Sequence, residues 1–439
     1  MFPLHEKTRR RVCRVVFLVF CVVPTLAVLA WAAGRGGSAT QAVQSQWGLV
    51  TGLNVKIARV TYPRPGAASY HDLRLSDPET GRVLLTARSL ETARRDGALV
   101  LLASQLELGD RGEPLRNHEV RRLWRLVTDT LARQGLDDAV PVQLSADRVT
   151  WFAPGGAQTF LDLHGRIHST ARAAVAIRFH LPGAESSKKI DLHLQRDRSY
   201  SPPRTSLSIN TWDAKLPCWM LTAFTPAAQR LGPKAVFAGA ATARESEDGF
   251  DGEATGRLLG VDLDSLVSEQ FPHKLSGQAD VTLRRIRFTG GRVREVSAWL
   301  RAGPGQIGPS LLEAAARHLK LRVGAPLKST EPIAYRQLAF ALEMDRAGIS
   351  MTGQCEASEG AVLVADGVGP LLNQSDQPPQ PVLALVRMLV QDSQVQAPAT
   401  AETQWLLSRL PIPQLVPPPD RSGKGPRAKV LRLHPRSDQ

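Results

Sequence analysis

Few residues in this 439-residue chain are spaced for chemistry. It holds no Gly-x-Ser-x-Gly nucleophile elbow, no phosphate-binding Gly-rich loop, no His-Glu-x-x-His and no Cys-x-x-Cys. Glu245, Glu247, Asp248, Asp251 and Glu253 offer the oxygen donors that calcium takes. Their spacing departs from the EF-hand loop, and Asp248-Gly249 between alternating segments reads as a charged hairpin tip. His164 and His168 share a strand face but stand about 13 Å apart at strand rise, too far to ligate one metal ion. His180 and His193 fall at outward positions. Cys218 and Cys355 lie far apart in sequence with no spacing motif. Two separate buried thiols are expected, with a bridge as the alternative in an oxidising compartment. Neither an enzyme nor a cofactor is expected.

The elements that would carry any site are mostly strands. Val175, Ile177, Phe179 and Leu181 alternate with Ala176, Arg178 and His180, and Ile190, Leu192 and Leu194 repeat the pattern. Leu338, Phe340, Leu342 and Met344 alternate with Ala339, Ala341 and Glu343, followed by Ile349 and Met351. Each reads as a strand with one apolar face, the mark of an antiparallel sheet covered on one side. Earlier strands are expected around Val55 and Ile57, Leu73 and Leu75, 83–85 and 99–108. Turn chemistry stands at Asp77-Pro78-Glu79-Thr80-Gly81, Gly290-Gly291 and 345–348. A helix at 311–320 interrupts the strands, and an amphipathic one at 119–134 sets Val120, Leu123, Trp124, Val127 and Leu131 against Arg121, Arg122, Arg125 and Arg133. The latter is read as capping a sheet end, with a membrane-surface or partner helix as the alternative. Arg148, Arg285 and Glu295 break the alternation and are expected to mark bulges or a closed end.

The ends of the chain differ from this middle. Lys7, Arg9, Arg10, Arg11 and Arg14 precede an uncharged apolar run over 15–33. Nineteen residues at about 1.5 Å each approach the ~30 Å hydrocarbon core. The one-sided basic flank keeps the N-terminus in the cytoplasm. The expectation is a single-pass transmembrane helix in the inner (cytoplasmic) membrane, with the bulk of the chain periplasmic. Cleavage after Ala30-Trp31-Ala32 and a buried soluble helix are the alternatives. Cys21 lacks the preceding small residue that lipidation needs. Of the net charge of +14, six Lys/Arg against Asp438 sit in 421–439. With aromatics at 5%, no stacking surface for nucleic acid is expected. The basic tail fits an anionic lipid surface or plain disorder. The expected organisation is a basic N-terminus (1–14), an anchor (15–33), an N-terminal β region (34–110) opening on a Gly-rich joint at 34–38, and a helical insertion (111–140). A repetitive β-groove region (141–370) and a Pro-rich linker with short helices and a basic tail (371–439) complete it.

Two stretches carry a family resemblance. Trp47-Gly48-Leu49-Val50-Thr51-Gly52-Leu53-Asn54-Val55-Lys56-Ile57 and Leu73-Arg74-Leu75-Ser76-Asp77-Pro78-Glu79-Thr80-Gly81 resemble the start of AsmA-like (AsmA/TamB-type) envelope proteins. Gly260-Val261-Asp262-Leu263, Leu275-Ser276-Gly277-Gln278-Ala279 and Gly291-Arg292-Val293 are similar to the later repeats of that family. The resemblance implies an inner-membrane anchor, a β-rich periplasmic groove and a role in outer-envelope assembly or glycerophospholipid transfer. It offers no catalytic residues. The Arg-rich helix and the basic Pro-rich tail depart from it.

The fold class expected is therefore mainly β: a long, curved, open antiparallel sheet, groove-like, with a few helices and one N-terminal transmembrane helix. Fifteen to eighteen strands at ~4.8 Å would reach roughly 70–85 Å, suiting a partial conduit or an assembly factor. An open trough would hold acyl chains on Val175, Ile177, Phe179, Leu181, Leu338, Phe340, Leu342 and Met344, whereas a closed sandwich would bury those side chains against a second sheet. Membrane lipids and envelope proteins are the expected partners. The competing function is a tethered scaffold that binds a partner strand at its sheet edge.

Overall fold

The computed structural model describes residues 16–120, 122–123, 140–153, 155–168, 172–183, 188–197, 199–201, 204–222, 226–246, 249–324, 331–365, 367–390 and 410. Helical backbone runs over 16–51, as a π-turn at Leu18–Val22 and then α1 (Val23–Thr51). The Gly-rich joint expected at 34–38 is instead part of this helix. Each glycine costs about 1 kcal/mol against alanine, but α1 is docked further along: Gln44 Nε2 donates to Ile57 O, and the Trp47 ring lies 5.0 Å from Tyr70. Gly52 ends the helix at φ 68°, with its N–H returned to Gly48 O. Phe17, Phe20, Val23 and Leu26, in the first part of the run, are all more than half exposed. Among the described residues no single helix is long and apolar enough to cross a membrane.

Among the described residues that follow, 21 strands form one large open sheet. The first two, β1 (Asn54–Lys56) and β2 (Arg59–Arg64), both pair with β3 (Ala67–Ser76), and β4 (Val83–Arg95) and β5 (Ala98–Leu108) extend the meander. Then β6 (Val142–Ala153) joins β5 in parallel, which requires a crossover. Residues 109–141 supply it, helical at 117–120 and 122–123; the remainder of the expected 119–134 helix lies outside the described residues. Next come β7 (Gly156–His168), β8 (Arg172–His180), β9 (Ile190–Asp197) and β10 (Arg204–Asn210), each antiparallel to the one before. After β11 (Leu216–Pro217), β12 (Val236–Ser246) takes the place beside β10, followed by β13 (Gly249–Asp262), β14 (Gln278–Thr289) and β15 (Arg292–Ala302).

The chain then folds over the sheet's end. Following β16 (Gly305–Ile307), α2 (Pro309–His318) and β17 (Arg322–Val323), β18 (Ile333–Met344) returns beside β15. It also pairs with β19 (Ile349–Gly353) and β20 (Ala361–Ala365), and β21 (Gly369–Asn373) lies between β20 and β17. The last described helix is α3 (Leu383–Leu389). β21 crosses position 370, where the linker was expected to begin: Leu371 and Leu372 are apolar enough to be buried, so the ordered sheet runs on to Asn373. The remainder of the expected linker, short-helix and basic-tail region beyond 390 lies outside the described residues, except Leu410, which is buried.

Local chemistry explains the corners. Gly290 and Gly291 join β14 to β15 at φ 58° and 71°, the two left-handed residues that a tight hairpin needs. The β14–β15 register slips between Leu283 and Arg285, and Arg285 and Arg287 both approach Glu295 at 3.5 Å. The expected irregularity at Arg285 and Glu295 is thus a bulge held by ion pairs. Near Arg148 the deviation is wider. Asp72, Gln105 and Asp162 have φ of 49–51° at neighbouring registers of β3, β5 and β7, so a crease crosses the N-terminal strands.

The apolar faces converge in two large cores. One gathers buried residues from Leu53 to Met220, including Leu84, Leu115 and Ile190. The other gathers residues from Val261 to Leu410, including Leu312, Leu363, Val382 and Val386, and is roofed by α2 and α3. The crossover is fixed to the first core by charge. Arg122 Nη1 donates to Asp77 Oδ2 at 2.8 Å, and Arg82 Nη1 lies 2.8 Å from Glu119 Oε1, off the hydrogen-bonding direction. Arg122, expected on the far side of its helix from the sheet, therefore points back to it, because the buried Asp77 carboxylate needs a counter-charge.

Candidate functional site

Between the two cores the apolar face of the sheet continues without a thick cover among the described residues. Cross-strand partners have their side chains on the same face, so the pairing can be followed from strand to strand. Ile177 on β8 faces Leu192, which faces Ile209, which faces Ala241 on β12. Ala241 faces Ala254, then Ile286, then Val296, and Val296 faces Met344 on β18. Every member of this row is apolar. At ~4.8 Å per strand it spans about 34 Å. A second row starts from Val175 and runs through Leu194 and Leu207 to Ala243.

Burial differs along the row. Ile177, Leu192, Ile209, Ala241, Ala254, Ile286 and Val296 are all half-buried, whereas Met344 and the Ile349 it faces are buried. Ile177 and Ile209 pack at the margin of the N-terminal core and Val296 at that of the C-terminal core. Among the described residues the middle is otherwise served by small clusters, one on Val175 and Leu194 and another on Cys218, Phe237 and Leu283. The opposite face is polar: Arg178 stands opposite His164 and Asp191, and Ser297 Oγ donates to Glu343.

The eight expected groove residues divide accordingly. Ile177 and Met344 are the two ends of the first row, and Val175 begins the second. Phe179 and Leu181 belong to the N-terminal core, with the Phe179 ring 4.9 Å from Phe160. Leu338 and Met344 belong to the C-terminal core, and Phe340 and Leu342 pack against it. The quartets do not touch; the strands between β8 and β18 join them. Of those strands β9 is legible by alternation, but β12 and β13 escape it, because small residues such as Ala241 and Ala254 do not stand out beside Thr242 and Thr255. The pairing register, absent from any single segment, makes them a row.

Other candidates find structural duties. Asp251 accepts the Gly290 N–H at 2.8 Å and Glu253 lies 4.0 Å from Arg287, so both tie hairpins together; Glu247 and Asp248 lie outside the described residues. Cys218 and Cys355 are free thiols buried in separate clusters, and burial pushes the Cys218 thiol up to about 11. His193 is exposed as expected, but His180 is buried. A bulge between Leu161 and His164 on β7 sets Leu161 opposite it and shifts the local facing.

The chain matches no protein-family model, and no curated protein or solved structure matches it significantly.

Proposed function

We propose that this protein is a membrane-anchored, AsmA-like envelope protein that holds or passes lipid acyl chains along the apolar face of its sheet, in support of outer-envelope assembly. In this reading the exposed aliphatic and aromatic side chains of 16–26 sit in the inner membrane and the sheet stands in the periplasm. The observation that carries it is the row from Ile177 to Val296: seven consecutive strands contribute apolar, half-buried side chains. Of these, Ile177, Ile209 and Val296 touch the margins of the cores, while Leu192, Ala241, Ala254 and Ile286 lie outside both. Left bare to water, such a row costs free energy in proportion to its area and invites association. Acyl chains cover it without demanding hydrogen bonds. One leaflet is about half of the ~30 Å hydrocarbon core, so the row is longer than one tail layer and suits chains lying along it.

The test is photo-crosslinking from Ile209 and Ile286 in membranes, with the exposed outer-face Trp299 as control. Lipid adducts are expected from the first two positions and none from the third. Ile177→Asp should reduce the yield of adducts with little loss of melting temperature, because the site is already half open. Phe340→Asp, packed on the C-terminal core, should unfold that end by burying an unpaired carboxylate. Absence of lipid at Ile209 and Ile286, with a melting collapse in Ile177→Asp, would show a closed apolar layer and end the lipid reading.

A further inference from the structure

On the polar face of β7–β9 lies a hollow of about 430 Å³, within the range of small-molecule sites. Ala176 makes room for it. That methyl group stands between Arg166 on one neighbouring strand and His193 on the other. One residue pair further along, Arg178 lies between His164 and Asp191, and Lys189 completes the wall. Three permanent cations and two imidazoles thus surround one carboxylate.

That carboxylate is already engaged. Arg178 Nε donates to Asp191 Oδ1, and the exposed Trp212 Nε1 donates to Oδ2 at 2.8 Å. Burial works against its charge, but these hydrogen bonds outweigh it and hold the Asp191 carboxyl below the usual range, so it stays ionised. Its effect is to fix the Arg178 fork in place. Arg166 and Lys189 have no acidic partner among the described residues. No group of three metal-type ligands occurs among the described residues either, and the positive excess disfavours a cation.

We propose that this hollow is a binding site for a phosphate group, the chemistry shared by a phospholipid headgroup and a soluble phosphate ester. Guanidinium forks match phosphate oxygens in pairs, and the ammonium of Lys189 adds a third cationic donor. Arg166 and Arg178 occupy diagonal positions on adjacent strands, within reach of a single tetrahedral anion. The charged side chains of the site stand on the opposite face from the acyl row, and Ile177, the end of that row, also borders the hollow.

Calorimetric titration of the full chain in detergent with inorganic phosphate, at constant ionic strength set by chloride, tests the proposal. Saturable binding is expected, weakened roughly tenfold or more in the Arg166→Glu/Lys189→Glu double variant. Both side chains are without an acidic partner among the described residues, so melting should stay as in the parent. Ala176→Phe, which keeps every charge and fills the floor, should weaken binding as well. Flotation with phosphatidylcholine vesicles containing phosphatidic acid separates the sources. Recruitment lost in the double variant supports a headgroup, and phosphate binding without recruitment supports a soluble ester. No saturable phosphate binding, or binding unchanged in both variants, overturns the proposal.

Discussion

Asp77 uses its two oxygens on two different length scales. Oδ1 accepts the Glu79 N–H within its own turn, and Oδ2 takes the Arg122 guanidinium from the crossover. The Glu79 bond is the larger influence; burial opposes it, Arg122 reinforces it, and the carboxyl ends below its ordinary 3.8. A carboxyl with a depressed folded value stabilises above its unfolded pKa and loses that contribution as pH falls through the folded one. Asp77→Asn should therefore cost about 1–3 kcal/mol at neutral pH, between an exposed and a fully buried pair, since Arg122 is partly exposed. Denaturant melts of parent and variant should show this gap narrowing below about pH 4, whereas a constant gap would mean that the charge of Asp77 is not what is lost. The turn was legible in Asp77-Pro78-Glu79-Thr80-Gly81 because its bonds are local. Arg122 was not, since its partner lies 45 positions away. Nor was Glu119, which is only 1% exposed beside Arg82.

At the level of elements, alternation identified β8, β9 and β18, and two-residue turn chemistry identified the β14–β15 hairpin. Both signals are short-range. β11 and β17, of two residues each, are made by tertiary pairing and have no period to read. α1 crosses 34–38 because docking of its far end outweighs local glycine penalties. A close backbone approach at a positive-φ glycine lies at the centre of the sheet. Gly256 on β13 has φ 140° and faces Gly239 on β12, and a Cβ there would come 2.4 Å from the Ala238 carbonyl oxygen. That oxygen is backbone and cannot swing away. Gly256→Val should cost more than about 3 kcal/mol from the forbidden φ and the contact together. Ala254→Val, two residues away on the open apolar row, should change stability by less than about 1 kcal/mol. Thermal melting of the pair checks this. Equal losses would place Ala254 under cover and argue against an open face.

For the whole molecule, the sheet is guarded at its margins and open on a face. β2 carries Pro63 and lies near α1, and the backbone of Ile349 on β19 is paired with Gln380. Strand addition at these edges has little room, which leaves the apolar face as the broader surface. The sequence showed that this face exists but not how it is divided, because which strands receive helical cover depends on where α2, α3 and the crossover come to rest. The division has a thermodynamic consequence. Leu84 and Leu312 are each fully buried, in the N-terminal and C-terminal cores respectively. Truncating either to alanine should cost about 2–5 kcal/mol. If the thin central strands couple the cores weakly, calorimetry of the lipid-free chain should resolve two transitions, with Leu84→Ala lowering one and Leu312→Ala the other. A single transition lowered by both variants would show one cooperative unit and a centre more firmly packed than its half-buried row implies. An occupant lying across that row contacts strands belonging to both units and binds only when they are folded. Saturating lipid should then raise both transitions by mass action and draw them together, which an occupant confined to either end would not do.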